Sequence, residues 1–115
     1  MIYPIIPCPK PRQTRSDRWR QRPAVLRYRA FADEVRAARV EIPESGATVI
    51  FRLPMPTSWS MKKRQKMNGM PHQQKPDWDN LAKALCDAVY SDDSGVWDIR
   101  VIKLWFDEGS IEVVE

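Results

Sequence analysis

The sequence is poor in the residues from which most zinc and redox centres are built. Its 115 residues include one histidine, His72, and two cysteines, Cys8 and Cys86, which lie far apart with no CxxC pair. Zinc needs several thiolate or imidazole donors at close spacing, so this pattern argues against it, and both cysteines read as small apolar packing residues. No apolar run approaches the roughly 18 residues needed to cross a bilayer. The opening MIYPIIPCPKPR has no charged lead into an apolar helical run and is interrupted by proline, so a secretory signal is not expected and the cytoplasm is the default compartment. Acidic residues are missing from the whole stretch between Pro54 and Pro76.

What is present points to a packed globule. A hydrophobic fraction of 43% and five tryptophans exclude a disordered chain, while ten prolines call for loops or extended segments. A chain of 115 residues supports one modest core and therefore one domain, residues 1–115.

Charge is distributed unevenly. Residues 1–76 carry 16 Lys+Arg against 5 Asp+Glu, and residues 77–115 carry 3 against 10. Two tracts make most of the positive half: KPRQTRSDRWRQRPAVLRYR, which includes Lys10, Arg12, Arg15 and Arg18, and MKKRQKMNGMPHQQK, which includes Lys62, Lys63, Arg64, Lys66 and Lys75. Clustered cations of this kind suit a polyanion, with DNA the expected partner. A merely solvated basic surface is the alternative.

The patterning predicts an α+β fold in the order β-α-β-α-β-β, a small mixed sheet of about four strands with two helices. YPIIP reads as a short edge strand. Pro23 suits a first helical position, and Tyr28, Phe31, Ala32, Val35 and Ala38 mark one apolar face, which predicts a helix from about Ala24 to Val40. ATVIFRL reads as a strand, and the chain from Pro54 to Pro76 as an aperiodic loop containing His72. Leu81, Leu85, Ala88 and Val89 stripe a second helix from about Asp77 to Tyr90. VWDIRVIKLWF and SIEVV then read as a hairpin around DEGS. Trp19, Trp59 and Trp78 read first as core residues, with base stacking as their other use.

The run KPDWDNLAKALCDAVYSDD gathers five carboxylates directly after the acid-free loop. Taken singly, Asp77 is a good helix N-cap, Asp79 complements the helix dipole, Lys83 is an i,i+4 partner, and DDSG is turn chemistry. Taken together they fit another purpose. Residues two apart within a helix point away from each other, so Asp77 and Asp79 converge only if Asp77 is the cap and Asp79 lies inside, and Pro76 sets that boundary. Asp92 and Asp93 follow on the next turn. Such oxygen donors beside a lysine make a hard-cation site for Mg2+ or Mn2+ facing a phosphate, which is consistent with phosphodiester hydrolysis.

DWDNLAKALCDAV, the following DD, and VWDIRVIKL together resemble the RusA family of Holliday junction resolvases, whose pattern is D-x-D-N-x-x-K-x-x-x-D-A followed by D-D and a strand. The likeness is close over residues 77–104 and one of layout before them. It implies a homodimeric Mg2+- or Mn2+-dependent endonuclease that cuts four-way DNA junctions. It implies that Asp77 and Asp79 are an essential pair, Lys83 the catalytic lysine, and Asp92 and Asp93 the acidic pair after the helix, with Asp93 the more important. Catalysis is thus expected from Asp77, Asp79, Lys83 and Asp93, and metal binding from Asp77, Asp79, Asp92 and Asp93. Asp87 also matches, as a structural helix residue. The dimer contact is sought first at Val101, Leu104 and Trp105. A binding module without catalysis, and a nuclease for flaps or other branched DNA, are the competing readings.

Overall fold

Four strands and three helices make up the computed structural model, which describes residues 1–11, 22–90 and 94–115. Arg12, Arg15, Arg18, Trp19, Asp92 and Asp93 lie outside the described residues. In chain order the elements are β1 (Ile2–Tyr3), α1 (Pro23–Ala37), β2 (Ser45–Pro54), α2 (Met61–Met67), α3 (Trp78–Val89), β3 (Asp98–Phe106) and β4 (Ser110–Val114). The fold is mixed α+β, as the patterning predicts, with one helix more than expected.

Strict alternation along β2 turns Ala47, Val49, Phe51 and Leu53 to one face, where Ile111 and Val113 of β4 and Tyr3 of β1 join them. Helices α1 and α3 cover that face with Phe31, Ala32, Val35, Leu81, Ala84 and Leu85. Leu81 and Ile111 have no exposed surface, and burying each contributes about 1.5–3 kcal/mol. Helix α1 starts with Pro23 in its first turn and stops three residues short of the predicted Val40. Arg39 takes a left-handed φ of 54°, which turns the chain so that Val40 N–H bonds the Val35 carbonyl.

The expected hairpin does not form. The sheet order is β1-β4-β2-β3, so β3 and β4 flank β2 on opposite sides, β3 parallel to it and β4 antiparallel. The reason is connectivity. The chain leaves β2, crosses over through α3 and returns beside β2, as parallel pairing requires. Residues 107–109 then pass the end of β2, where Pro54 closes the strand, and three residues suffice to cover the roughly 10 Å between alternate strands.

The stretch from Pro54 to Pro76 is not the aperiodic loop that its composition suggests. Ser60 caps α2 by accepting from the Lys63 N–H at 3.2 Å, and residues 69–72 run along the free edge of β3. Gly69 N–H bonds the Trp105 carbonyl at 2.7 Å, Trp105 N–H bonds Met70, and His72 N–H bonds Lys103. Trp105 is buried, while Val101, packed against the core, and Leu104 keep part of their surface exposed.

Candidate active site

Pro76 bars Lys75 from helical geometry, and α3 starts two residues later at Trp78, opening onto the apolar stripe. Asp77 stands at the N-cap position with φ −69° and ψ 149°, yet its side chain makes no capping bond. Its carboxylate instead lies 3.3 Å from the Lys75 ammonium. Asp79, in the first turn of α3, has no hydrogen bond or ion pair among the described residues. Both carboxylates line one open hollow of about 580 Å³ together with Gln74, Lys75, Trp78 and Lys103. A cap position followed by a first-turn position thus brings the two acids onto one cavity.

Lys103 enters this hollow from β3, a position to which the sequence pattern assigns no role. Its ammonium donates to the Gln74 carbonyl at 2.8 Å and to the Pro76 carbonyl at 2.7 Å, fastening the turn that leads into Asp77. Burial pushes the Lys103 ammonium below its ordinary range, and the Asp77 charge opposes that shift. A signal was available. Ile99, Val101 and Trp105 alternate on the inward side of β3, and Lys103 sits in the same parity, a cation in an apolar series.

One turn down α3, Lys83 lies 3.5 Å from Asp87, and the Lys10 ammonium also bonds Asp87. Burial acts to raise the Asp87 carboxyl, but the hydrogen bond and charge of Lys10, together with Lys83, outweigh it and hold the group below its ordinary range. Lys10 therefore ties the N-terminal segment to α3, and its backbone N–H reinforces this by bonding Asn80. Asp79 and Lys83 form the polar wall of a second, smaller hollow on the far side of Trp78. Trp78 itself is 59% exposed, contrary to the core role expected for it.

Lys62, Lys63, Arg64 and Lys66 all lie on α2, none of whose residues is buried. The helix is anchored by rings and backbone. Lys63 Nζ sits 4.2 Å from the Trp59 ring centre, Trp59 packs on Trp105 at 4.8 Å, and Arg64 donates to the Pro56 carbonyl. His72 completes the stack, 4.0 Å from Trp105. It lies in a loop, as the sequence suggested, but is buried, 4% exposed, and its Nδ1 has no hydrogen-bond partner. Burial pushes its imidazole down, and the Lys103 charge adds to that shift.

Among the described residues no three of His, Cys, Asp and Glu come close enough to hold a metal ion. The donors that do meet, Asp77 and Asp79, are hard oxygen ligands, and neither carboxylate is used for capping. That chemistry fits a divalent cation of the Mg2+ class. Cys8 and Cys86 form no disulfide and pack at or in the core.

Comparison with known proteins agrees with the geometry. An 80-residue stretch, 63% of the chain, is 36% identical to the "Uncharacterized protein YqaN" of Bacillus subtilis (strain 168), and this match spans 56% of that relative's length. The chain thus covers little more than half of the curated relative. The family model described as "Endodeoxyribonuclease RusA" matches residues 3–114. With that match running through both the carboxylate-bearing helix α3 and the strand that carries Lys103, the chain belongs to the RusA endodeoxyribonuclease family.

Proposed function

We propose that the protein is a metal-dependent endonuclease that resolves four-way DNA junctions by paired phosphodiester hydrolysis, acting in recombination and repair in the cytoplasm. The observation that carries this reading is the pair of uncapped carboxylates, Asp77 and Asp79, on one open hollow beside the Lys103 ammonium. The competing reading of a binding module needs Asp77 as a cap, and its side chain makes no such bond.

In this reading Asp77 and Asp79, completed by Asp92 and Asp93, would hold Mg2+ or Mn2+, which when bound would lower the pKa of a water and offset charge on the leaving oxygen. Asp77 and Asp79 present their carboxylates to the open hollow. Lys83 offsets the negative charge that builds on the phosphate in the transition state. Basic α2, with Lys10, Lys75 and the tract containing Arg12, Arg15 and Arg18, grips the backbone. Resolution of a junction into two duplexes needs two opposed nicks, and one chain carries one set of carboxylates, so the active species is a two-fold dimer.

The test is cleavage of a labelled four-way junction, a flap and a linear duplex, each with Mg2+, Mn2+ or EDTA. Paired nicks in the junction with either metal are expected, and none in EDTA. Asp79→Asn should abolish cleavage while leaving folding and junction binding intact. Mixed dimers of wild type and Asp79→Asn should nick one strand without resolving the junction. Near-normal cleavage by Asp79→Asn would remove the metal-site reading, and preferential flap cutting would replace the substrate.

A further inference from the structure

The hollow behind Trp78 has a division of surface that the phosphodiester chemistry does not require. Trp78, Ala82 and Cys86 recur every four residues along α3 and form an apolar strip, Val96 joins it from beyond the helix, and Asp79 and Lys83 supply the polar side. The space is about 200 Å³, on the scale of a single ring system, and it opens directly beside the carboxylate hollow, with which it shares Trp78 and Asp79. Trp78 leaves 59% of its surface in solvent and stacks on no other ring among the described residues. An indole held this way at a helix start forgoes the burial that usually secures it. Its open face is available to a flat apolar partner.

We propose that this slot takes one nucleobase of the DNA substrate, stacked on Trp78, with the attached phosphate directed to Lys83 and the Asp77–Asp79 hollow. The proposal rests on the nuclease reading above and adds a subsite to it. The polarity fits a nucleotide, with an apolar floor for the base and the Lys83 ammonium for the phosphate. Every base has a π-face, so the slot tolerates any sequence. A base inside a continuous duplex must be unstacked and unpaired before it can enter, whereas one at a branch point has already lost part of its stacking. The slot therefore favours branched over linear DNA through the cost of base extrusion, and needs no readout of base edges.

The experiment measures binding of full-length protein in EDTA to a four-way junction carrying a single abasic residue, moved stepwise through the branch point, and to a matched linear duplex. One abasic position should weaken wild-type binding roughly 5- to 100-fold. Trp78→Ala should show the same loss on the intact junction and no further loss at that position, Trp78→Phe should stay near wild type, and affinity for the linear duplex should be unchanged throughout. A flat abasic scan with wild-type protein overturns the proposal without reference to any variant. So does a Trp78→Ala protein that binds the intact junction as tightly as wild type, or one that loses affinity equally for the duplex. Dissociation of the Trp78→Ala dimer by light scattering would assign the ring to a protein contact and overturn it as well. Metal-dependent cutting of the junction by the wild type is scored separately, so failure of the nuclease reading is distinguishable from failure of the slot.

Discussion

Lys103 donates to the Pro76 carbonyl at 2.7 Å, one residue before Asp77. With its second bond to Gln74, the ammonium holds the turn that aims the Asp77 carboxylate into the hollow. Lys103→Met removes both bonds and keeps an unbranched side chain one atom shorter. Turnover should fall by up to about a hundredfold, since small displacements of a reacting group are costly, while junction binding in EDTA changes little. Lys103→Arg should recover part of the rate. Single-turnover kinetics separate the two effects, and an unchanged rate would show that the turn holds itself.

The four cations of α2 should act through the backbone of the nucleic acid and not through chemistry. Replacing Lys62, Lys63, Arg64 and Lys66 with glutamine should weaken binding and flatten its dependence on log salt by about 0.9 for each phosphate that the helix no longer neutralises. Rates at saturating protein should stay close to normal. A titration from low to moderate salt provides the measurement. An unchanged slope would move the grip to the tract beginning at Lys10.

Asp87 joins the N-terminal segment to α3 through Lys10, with Lys83 one turn away on the same helix, and its depressed carboxyl makes that junction sensitive to acid. The folded group gives up its proton more readily than the unfolded one, so its contribution is complete above the ordinary value of 3.8 and disappears as pH falls through the lower folded value. Asp87→Asn should cost about 1 kcal/mol at neutral pH, the range of partly exposed ion pairs. Urea unfolding at a series of pH values should show the wild-type advantage closing only in strong acid.

His72 should produce the opposite kind of acid sensitivity, at milder pH. Its imidazole is buried beside Lys103, so the folded chain resists a proton that the unfolded chain accepts at the ordinary value of 6.5. Stability is complete above that value and declines as pH falls below it. His72→Phe keeps a ring against Trp105 and removes the unpartnered Nδ1. The variant should match or exceed wild type at neutral pH and lose less Tm on acidification to about pH 5. A parallel decline in both proteins would place the acid-sensitive group elsewhere.

The elements with strong periodicity were legible in the sequence. The apolar stripes of α1 and α3 and the alternation of β2 reflect burial on one face, and the boundary at Pro76 placed Asp77 at the cap. Helix α2 left no trace in the pattern because none of its residues is buried, so nothing imposed an apolar repeat on MKKRQKM. The order of β3 and β4 was also hidden, since a short glycine-containing link reads alike whether it joins neighbouring strands or passes the end of one between them. Lys103 could be singled out as a cation in the inward series of β3, but not its role, because the backbone carbonyls that it holds have no signature in the sequence.

Residues 55–77 deliver the basic helix, the Lys103-bound turn and the first carboxylate within one connection, from the end of β2 to the start of α3. That connection is fastened to the sheet at the edge of β3, through Trp105, His72 and Lys103, and the core packs without it. Its length and charge can therefore drift while the sheet and the apolar face of α3 stay fixed. In the proposed nuclease, the breadth or narrowness of the DNA shapes accepted would then be open to change by insertion or deletion in this single segment, much as an exchangeable jaw alters a tool without altering its handle.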